Sequence, residues 1–402
     1  MKLGFLISFF LCMLVTISCS TSNDYLVIPL CNTQNNINRG REILLIDTIF
    51  LKTKVPDTVK YFHKNFDYDL ISGDYYGLET AIGIKKIEVF NCGTEYIKTI
   101  LLEDPVFNGS INGIKLHTKD SIFIIKNDPF TLVLINDVGD VINVWNVGDA
   151  PLNWDYSNDY YFSGSNFQKP IVSGNTIYLP ITPLDYFYHD DRDNINLFFS
   201  YDLKERKWKD FFGAADDFYL TKDKIELPFD YTVPSITYAF NYILITYPLS
   251  SFIFKFNLDG EMTQKICVSS KFITQFSKPP KRESDIQQTI NYLRSAPFFG
   301  PLHYHSKVNV FSRVCFHEMS LYADDGTLNS LCNRRKSLQI LDSYFNLISE
   351  EIIDKEYNLY PGQYVVLDDG FLINRICTNN KSEDSENVLS MNNKIQFLES
   401  SK

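Results

Sequence analysis

The richest group of chemically active side chains lies in residues 186–194, which read Tyr-Phe-Tyr-His-Asp-Asp-Arg-Asp-Asn. Histidine side chains titrate near neutral pH, so His189 could serve as a general acid or base. Carboxylate and amide oxygens are the ligands that calcium prefers. This segment offers Asp190, Asp191, Asp193 and Asn194. The same composition also fits a solvated hairpin tip with scattered charge, and we favour that interpretation.

A second candidate is the aromatic segment 154–162, which contains Trp154, Tyr160 and Tyr161 among acidic and amide residues. If these rings are exposed, they are suited to stacking on sugar rings or on a peptide. If they are buried, they fill the gaps between neighbouring sheets. The sequence leaves both interpretations open.

Two histidines and an arginine complete the candidates. His303 and His305 alternate on an expected strand, so they should point to the same face. A metal would need two further ligands, and none is visible nearby, so surface or interface histidines are favoured. Arg313 lies on an apolar strand, where a buried charge requires a partner. An ion pair with an aspartate is the favoured role, and a pocket for an anionic group is the alternative.

Motifs that would define an enzyme are missing from the sequence. It contains no Gly-x-Ser-x-Gly, no phosphate-binding glycine loop, no His-Glu-x-x-His and no calcium-binding EF-hand loop. We therefore predict no catalytic residue, no cofactor and no metal site, although sites assembled from distant residues leave no such motif.

The N-terminal sequence has the pattern of an export signal. Lys2 is followed by a mostly apolar run, 3–17, and then by Ser18 and Cys19. About 20 apolar residues are needed to span a membrane, and this run is shorter. Thr16, Ile17, Ser18 and Cys19 resemble a lipobox, loosely at Thr16. The resemblance implies cleavage before Cys19, with lipid on its sulfur and new amino group.

Composition limits the class of protein. The chain has 402 residues, a net charge of −11 and 45% hydrophobic residues, which is ample for a packed core. Nucleic-acid binding requires a positive face, so this charge argues against it. Six cysteines remain after Cys12 and Cys19, and an exported protein can keep them as disulfides. Buried free thiols are the alternative.

The elements that must position these side chains are strands. A short apolar strand, a Gly/Asp/Asn turn and a returning strand recur five times, with turns near residues 93, 139, 205, 260 and 345. Three of these hairpins have a further strand upstream, at 121–125, 175–179 and 241–245. Recurrence of a multi-strand unit is typical of a repeat fold.

We therefore predict an all-β fold, a β-propeller with six blades preferred and seven possible. A β-sandwich also shows regular hairpins and is the alternative. One short helix is expected near 284–295. Two strands within 364–376 are expected to pair with material near 42–51 and close the ring. The expected divisions are a signal peptide (1–18), a lipidated tether (19–40), the propeller (41–377) and a polar tail (378–402), in which 395–398 adds an edge strand.

Three features together resemble a known family. They are Cys19 in its lipobox, the strand–Asp-Gly–strand cadence at 257–260 and 136–140, and the aromatic run 299–304 leading into 310–313. On these residues the chain resembles uncharacterised bacterial lipoproteins with a six-bladed, TolB-like propeller of unknown function. Ser312 departs from the aromatic residue expected there. The resemblance implies a fold and a location, and no reaction.

These observations predict a protein lipid-anchored through Cys19 in the cell envelope, at the outer membrane. We expect a binding or scaffold module for a glycan, a peptide or an envelope protein, and no nucleic-acid partner. The ligand-binding candidates are Trp154, Tyr160, Tyr161, His189, Asp191, Asp193 and Arg313. The alternative is a glycan hydrolase or lyase whose paired carboxylates, about 5–10 Å apart, converge in the central funnel.

Overall fold

A computed structural model describes sixteen segments of the chain. They are residues 25–26, 65–68, 75–81, 84–90, 96–127, 130–147, 160–161, 169–180, 182–183, 196–214, 234–277, 286–329, 333–353, 359, 364–374 and 392–397. Within them the chain forms successive antiparallel sheets, each built from strands that are near neighbours in sequence.

The first two blades follow β1 (Tyr25–Leu26). Blade 1 holds β2 (Asn65–Tyr68), β3 (Tyr75–Ala81), β4 (Ile84–Phe90) and β5 (Tyr96–Leu101). A 3₁₀ turn, Pro105–Phe107, leads into blade 2. Blade 2 holds β6 (Ile111–Thr118), β7 (Ser121–Asn127), β8 (Phe130–Asn136) and β9 (Val141–Asn146).

Blades 3 and 4 follow the same plan. Two short strands, β10 (Tyr160–Tyr161) and β13 (Thr182–Pro183), pair with each other and form a separate sheet. Blade 3 holds β11 (Ile171–Ser173), β12 (Thr176–Pro180), β14 (Asn196–Asp202) and β15 (Lys207–Ala214). Blade 4 holds β16 (Ser235–Ala239), β17 (Tyr242–Thr246), β18 (Phe252–Phe256) and β19 (Met262–Cys267).

The last part of the chain begins with β20 (Phe276–Ser277), which pairs with β1, and the helix α1 (Ile286–Ser295). Blade 5 holds β21 (Phe298–Phe299), β22 (His303–His305), β23 (Val310–Phe316), β24 (Lys336–Leu341) and β25 (Leu347–Ile353). A final sheet holds β26 (Tyr364–Leu367), β27 (Gly370–Asn374) and β28 (Asn392–Gln396).

The sheets are arranged as in a propeller. The first strand of blade 1, β2, contacts the first strand of blade 2, β6. In blade 5, β22 contacts β16, the first strand of blade 4, and β26, the first strand of the final sheet. These strands therefore lie innermost, and the all-β propeller with one helix is confirmed. Five blades are present in the described residues. The preferred count of six remains a prediction, because residues 42–51, expected to complete a sixth blade, lie outside the described residues.

Burial explains why these segments are strands. In β7 the side chains of residues 122–125 are all buried, because both faces of a blade are covered by its neighbours. In the outermost strand β19, residues 262–265 are exposed instead. Apolar clusters fill the spaces between successive blades, and one of them combines Phe212 of blade 3, Phe254 of blade 4 and Cys315 of blade 5.

All five predicted hairpins are present, as β4–β5, β8–β9, β14–β15, β18–β19 and β24–β25. The three upstream strands are β7, β12 and β17. The short helix predicted near 284–295 is α1. Within the described ranges, no helix has the length and apolarity that crossing a membrane requires.

The blades have two distinct ends. The end that carries the turns within hairpins, at 118–121, 136–141, 173–176, 239–242, 256–262 and 341–347, is here called the turn end. The opposite end, called the helix end, carries α1, β20 and the loop 247–251. There the backbone N–H of Val268 donates to Ser251 O at 2.9 Å, and that of Phe299 donates to Pro248 O at 2.7 Å.

Candidate functional site

Most of the predicted site residues lie outside the described residues: Cys19, Trp154, His189, Asp191 and Asp193. Tyr160 and Tyr161 form β10, which pairs with β13, and only their backbone is described. Their expected roles therefore remain predictions. Arg313, in the middle of β23, is fully described.

Arg313 is completely buried between blades 4 and 5. Its Nε donates to Gln339 Oε1 at 2.7 Å, and its Nη2 donates to Val268 O at 2.5 Å. Its guanidinium carbon lies 3.8 Å from the centre of the Phe299 ring. The favoured ion pair with an aspartate is wrong, because no aspartate in the described residues contacts this group. A buried charge can instead be stabilised by neutral acceptors and a ring face.

A carboxylate that acts on Arg313 is that of Glu350 on β25, which is also almost fully buried. Gln339 stands between the two charges, since its Nε2 donates to Glu350 Oε2 at 3.4 Å. This order follows from strand register, in which Arg313 is opposite Gln339 and Gln339 is opposite Glu350. The carboxylate also accepts from Ser270 Oγ and Lys271 N, both at 2.6 Å. The network therefore joins blade 5 to the chain leaving blade 4.

The hydroxyl of Ser337 is not set up as a nucleophile. It donates its only proton to Glu350 Oε1 at 2.8 Å, so His317 Nε2, at 2.9 Å from Ser337 Oγ, must donate to it. A general base would have to accept that proton instead. Burial, together with nearby Arg335, lowers the pKa of His317, which keeps the ring neutral. These contacts indicate that Ser337 and His317 stabilise the structure around Glu350 and do not form a site for acyl transfer.

Two further pKa shifts agree with a structural role. Burial raises the pKa of the Cys315 thiol, and the neighbouring Glu350 carboxylate raises it further, so the reactive thiolate is disfavoured. Burial lowers the pKa of Arg313, while Cys315 and Glu350 oppose that shift. The alternative role of Arg313, binding an anionic group, remains a prediction, and complete burial leaves its guanidinium inaccessible to a ligand in this structure.

His303 and His305 point to the same face of β22, as predicted, but both are buried and neither lies on the surface. His303 Nε2 is 2.8 Å from the Tyr364 hydroxyl, and His305 Nε2 is 2.7 Å from Ser312 Oγ. The rings of Phe371 and Phe397 pack around His305. Among the described residues, no group of three or more His, Cys, Asp or Glu side chains could hold a metal. These histidines join blade 5 to the final sheet.

The feature that sequence reasoning missed is a group of aromatic side chains at the turn end, between blades 4 and 5. Phe240 contacts Tyr304 and Phe311, with ring centres 5.0 and 6.1 Å apart, and Phe311 stacks on Phe345 at 4.7 Å. Phe240 is 49% exposed and Tyr344 is 82% exposed. We use the name aromatic cluster for Phe240, Tyr304, Phe311 and Phe345, which contact one another, together with the exposed Tyr344, which precedes Phe345 in the same turn.

The backbone is strained where it places two of these rings. Phe240 has φ 54° and Phe345 has φ 66°. Gly174 occupies the position of Phe240 in the first turn of blade 3, whereas the first turn of blade 2, 118–121, contains no glycine. Gly139 and Gly260 occupy the position of Phe345 in the second turns of blades 2 and 4. A side chain in the left-handed region costs roughly 1–2 kcal/mol. Packing on Phe311 offsets that cost for the buried Phe345 but only in part for the half-exposed Phe240.

Neutral hydrogen-bonding groups border the rings. Asn241 Oδ1 accepts from the Tyr238 hydroxyl, and Asn309 Oδ1 accepts from the Tyr304 hydroxyl, both at 3.0 Å. Both asparagines are exposed, and each has an amide nitrogen that is able to donate a hydrogen bond. A comparison of turn sequences, Ser-Gly-Asn-Thr at 173–176 against Ala-Phe-Asn-Tyr at 239–242, carries the signal that would have identified Phe240.

Comparison with known proteins gives structural likeness only. No family model and no curated protein matches the sequence. A solved member of the DUF4221 family from Bacteroides vulgatus is similar, with TM-score 0.64 and 16% identity over 89% of this chain and 97% of that chain. A protein of Bacteroides fragilis, assigned as exported, is similar with TM-score 0.51 and 11% identity over 92% of this chain and 98% of that chain.

The likeness is one of fold. At these identities it carries no activity and no ligand to this chain. The expected resemblance to a propeller family of unknown function is supported at the level of fold, while the lipid anchor remains a prediction.

Proposed function

We propose that this protein is a lipid-anchored, extracytoplasmic propeller that binds a saccharide through the aromatic cluster. The observation that carries the proposal is Phe240, a half-exposed ring on a strained turn where a sister turn has glycine. Folding alone favours glycine at that position. A ligand that stacks on the ring would supply the missing stabilisation.

The chemistry around the rings favours a saccharide over a charged ligand. Exposed aromatic faces suit the C–H faces of a sugar, and the exposed amides of Asn241 and Asn309 suit its hydroxyl groups. A peptide or a partner protein at the same surface is the competing possibility, and the experiment below separates them.

Two further observations support an extracytoplasmic location. Cys267 is disulfide-bonded, and disulfides are typical of exported proteins. The fold is shared with a Bacteroides fragilis protein assigned as exported. The anchor itself depends on the lipobox at Cys19.

The experiment is a saccharide array with the full-length protein, followed by titration calorimetry on the best ligand. We expect Phe240→Gly and Tyr344→Ala each to weaken binding about tenfold, which corresponds to about 1.4 kcal/mol. Tyr322→Ala is the matched control, because Tyr322 is 56% exposed but lies at the helix end, and it should bind as the parent does.

Three results would contradict the proposal. They are no saccharide binding at all, binding that survives both cluster substitutions, and preferential capture of a peptide or protein. Release of shorter sugars from a bound glycan would instead favour the alternative enzyme, a hydrolase or lyase with its carboxylates in the central funnel.

A further inference from the structure

The loop between β23 and β24 forms a β-hairpin at the helix end, residues 320–329, which we call the finger. Tyr322 pairs with Leu328 across it, and backbone hydrogen bonds close its turn. The backbone N–H of Met319 donates to Ser295 O at 2.9 Å, which holds the base of the finger against the end of α1. The finger is therefore a formed element with a fixed attachment.

The finger exposes apolar side chains that it cannot bury by itself. Tyr322 and Leu328 are both exposed, and because they pair across the two strands, their side chains share one face. None of residues 320–329 is buried. A two-stranded hairpin alone is only marginally stable in water. Contact with another surface would therefore stabilise the finger and remove its apolar pair from water.

The finger is also acidic. Asp324 and Asp325 lie exposed at its tip, and the segment contains no cationic residue. The hydroxyl and backbone N–H of Thr327 donate to Asp325 Oδ1 at 2.6 and 2.9 Å, and these bonds lower the pKa of that carboxyl, so it stays charged. A surface that fits the finger must therefore combine an apolar group with positive charge.

A surface of this kind lies at the same end of the protein. Phe272 is exposed, the guanidinium carbon of exposed Arg335 lies 5.9 Å from the centre of its ring, and the neighbouring Lys271 is exposed. We call these three residues the receiving site. Exposed Glu318 lies nearby and accepts from Ser277 Oγ at 3.1 Å. The two cations of the receiving site outnumber this carboxylate.

The receiving site is held in place and lies next to the base of the finger. The backbone N–H of Phe272 donates to Ser270 Oγ at 3.0 Å, and that of Lys271 donates to Glu350 Oε2 at 2.6 Å. The Phe272 ring stacks on His317, with ring centres 5.1 Å apart, and His317 comes just before the finger in sequence. A surface fixed in advance loses little conformational freedom on binding.

We propose that two copies of this chain associate through their helix ends, with the finger of each copy seated on the receiving site of the other. The finger and the receiving site are adjacent, so one two-fold axis can bring both pairs together, and the interface closes at two copies. Tyr322 and Leu328 then cover the ring of Phe272, while the aspartates lie against Lys271 and Arg335.

This inference goes beyond the proposed function and does not depend on it. The aromatic cluster lies at the turn end, so association through the helix ends leaves it open to a ligand. Saccharide binding and dimer formation can therefore fail separately.

The first experiment is sedimentation equilibrium of the full-length protein in density-matched detergent. We expect the parent to form dimers at about 50 µM, because contacts between a few side chains belong to the weak end of specific interfaces. Tyr322→Ala with Leu328→Ala should weaken the dimer at least about tenfold, because these side chains form its apolar centre. Val138→Ala with Ile142→Ala is the matched control, since both side chains are exposed away from the helix end, and it should associate as the parent does.

A charge exchange tests which surfaces meet. Asp324→Lys with Asp325→Lys makes the finger cationic, and Lys271→Glu with Arg335→Glu makes the receiving site anionic. Each variant alone should be monomeric, because like charges then face each other in both contacts. An equimolar mixture of the two variants should form dimers, because both contacts of a mixed dimer again join opposite charges. Recovery in the mixture also shows that both variants are folded.

Four results would overturn the proposal. They are a monomeric parent, a dimer that survives loss of the apolar pair of the finger, charge-exchanged variants that remain monomeric when mixed, and capture of another basic protein by a monomeric parent. Lys119→Glu with Lys204→Glu is the control for net charge, since both lysines are exposed on other blades and the change in charge is the same. It should leave the dimer of the parent unchanged.

Discussion

Gln339 joins the two buried charges of blade 5 without bringing them into contact. Its carbonyl accepts from Arg313 and its amide donates to Glu350, so each charge is stabilised by a neutral dipole and by backbone groups of blade 4. Removing one member of such a network leaves a buried charged group without its partner, which costs more than the hydrogen bond contributes.

We predict that Gln339→Leu destabilises the protein by about 2–4 kcal/mol, because the Nε of Arg313 then loses its acceptor. The measurement is urea unfolding at 25 °C. Gln264→Leu is the matched control, since Gln264 lies exposed on β19 and its loss should change stability by about 0.5 kcal/mol or less. Equal losses for the two variants would show that the network contributes nothing.

A second prediction at the residue scale concerns pH. Burial, with smaller effects from His305 and Lys169, holds the pKa of His303 well below its usual value, so the ring is neutral when folded. As pH falls below about 6.5, this histidine becomes protonated in the unfolded chain but stays neutral in the folded chain. The free energy of unfolding therefore falls by about 1.4 kcal/mol per pH unit. The measurement is the free energy of unfolding between pH 7.5 and pH 5.

His303→Asn should make that pH dependence shallower, because the variant has no imidazole to protonate in the unfolded state. His117→Asn is the control, since His117 is exposed on β6. A slope that is the same in the parent and in His303→Asn would refute the assignment.

At the scale of elements, the turns decide how the blades end. In three sister turns a side-chain oxygen of the first residue accepts from backbone N–H groups two and four residues later, with Asn136, Asn257 and Asp342 in this role. The fourth residue is left-handed in each. Glycine meets this need without strain, and Phe345 meets it because burial of its ring offsets the cost.

Two glycine substitutions separate backbone strain from crowding. Gly174→Ala should cost about 1 kcal/mol, because φ is +56° but no atom lies within 4 Å of the added Cβ. Gly139→Ala should cost at least about twice as much, because its Cβ would lie 2.6 Å from the carbonyl oxygen of Leu101. Thermal unfolding of the two variants gives the comparison, and equal costs would mean that the crowded turn relaxes freely.

At the scale of the whole molecule, stability depends on packing between successive sheets. The final sheet contributes Phe371 and Phe397 to a core shared with Val314 and Phe316 of blade 5. β28 supplies both the outer strand of that sheet and the position of Phe397. The C-terminal strand is therefore an integral part of this core.

Deletion of residues 392–402 should destabilise the protein by at least about 3–5 kcal/mol, the cost of losing a buried phenylalanine, with the unpaired edge of β27 adding to it. Deletion of 398–402 is the matched control, since it keeps β28 and Phe397. Thermal unfolding distinguishes the two chains. The same midpoint for both would show that β28 does not support the core.

The local sequence pattern was sufficient to predict the strands, the hairpin turns and the helix α1. Apolar strand residues, turn residues such as Asn257 and Gly260, and the helix-forming residues of α1 all act within a few positions of one another. Their outcome does not depend on which blade comes next, so the sequence alone determined them, and with them the repeating all-β architecture.

Only the tertiary structure decided which side chains meet. The partners of Arg313 come from two other strands and from the chain leaving blade 4, and the aromatic cluster joins Phe240 of one blade to Phe311 of the next. Such contacts depend on strand register and on the order of blades around the axis, which local preferences do not specify. For that reason the predicted aspartate partner was wrong and the aromatic cluster was not foreseen.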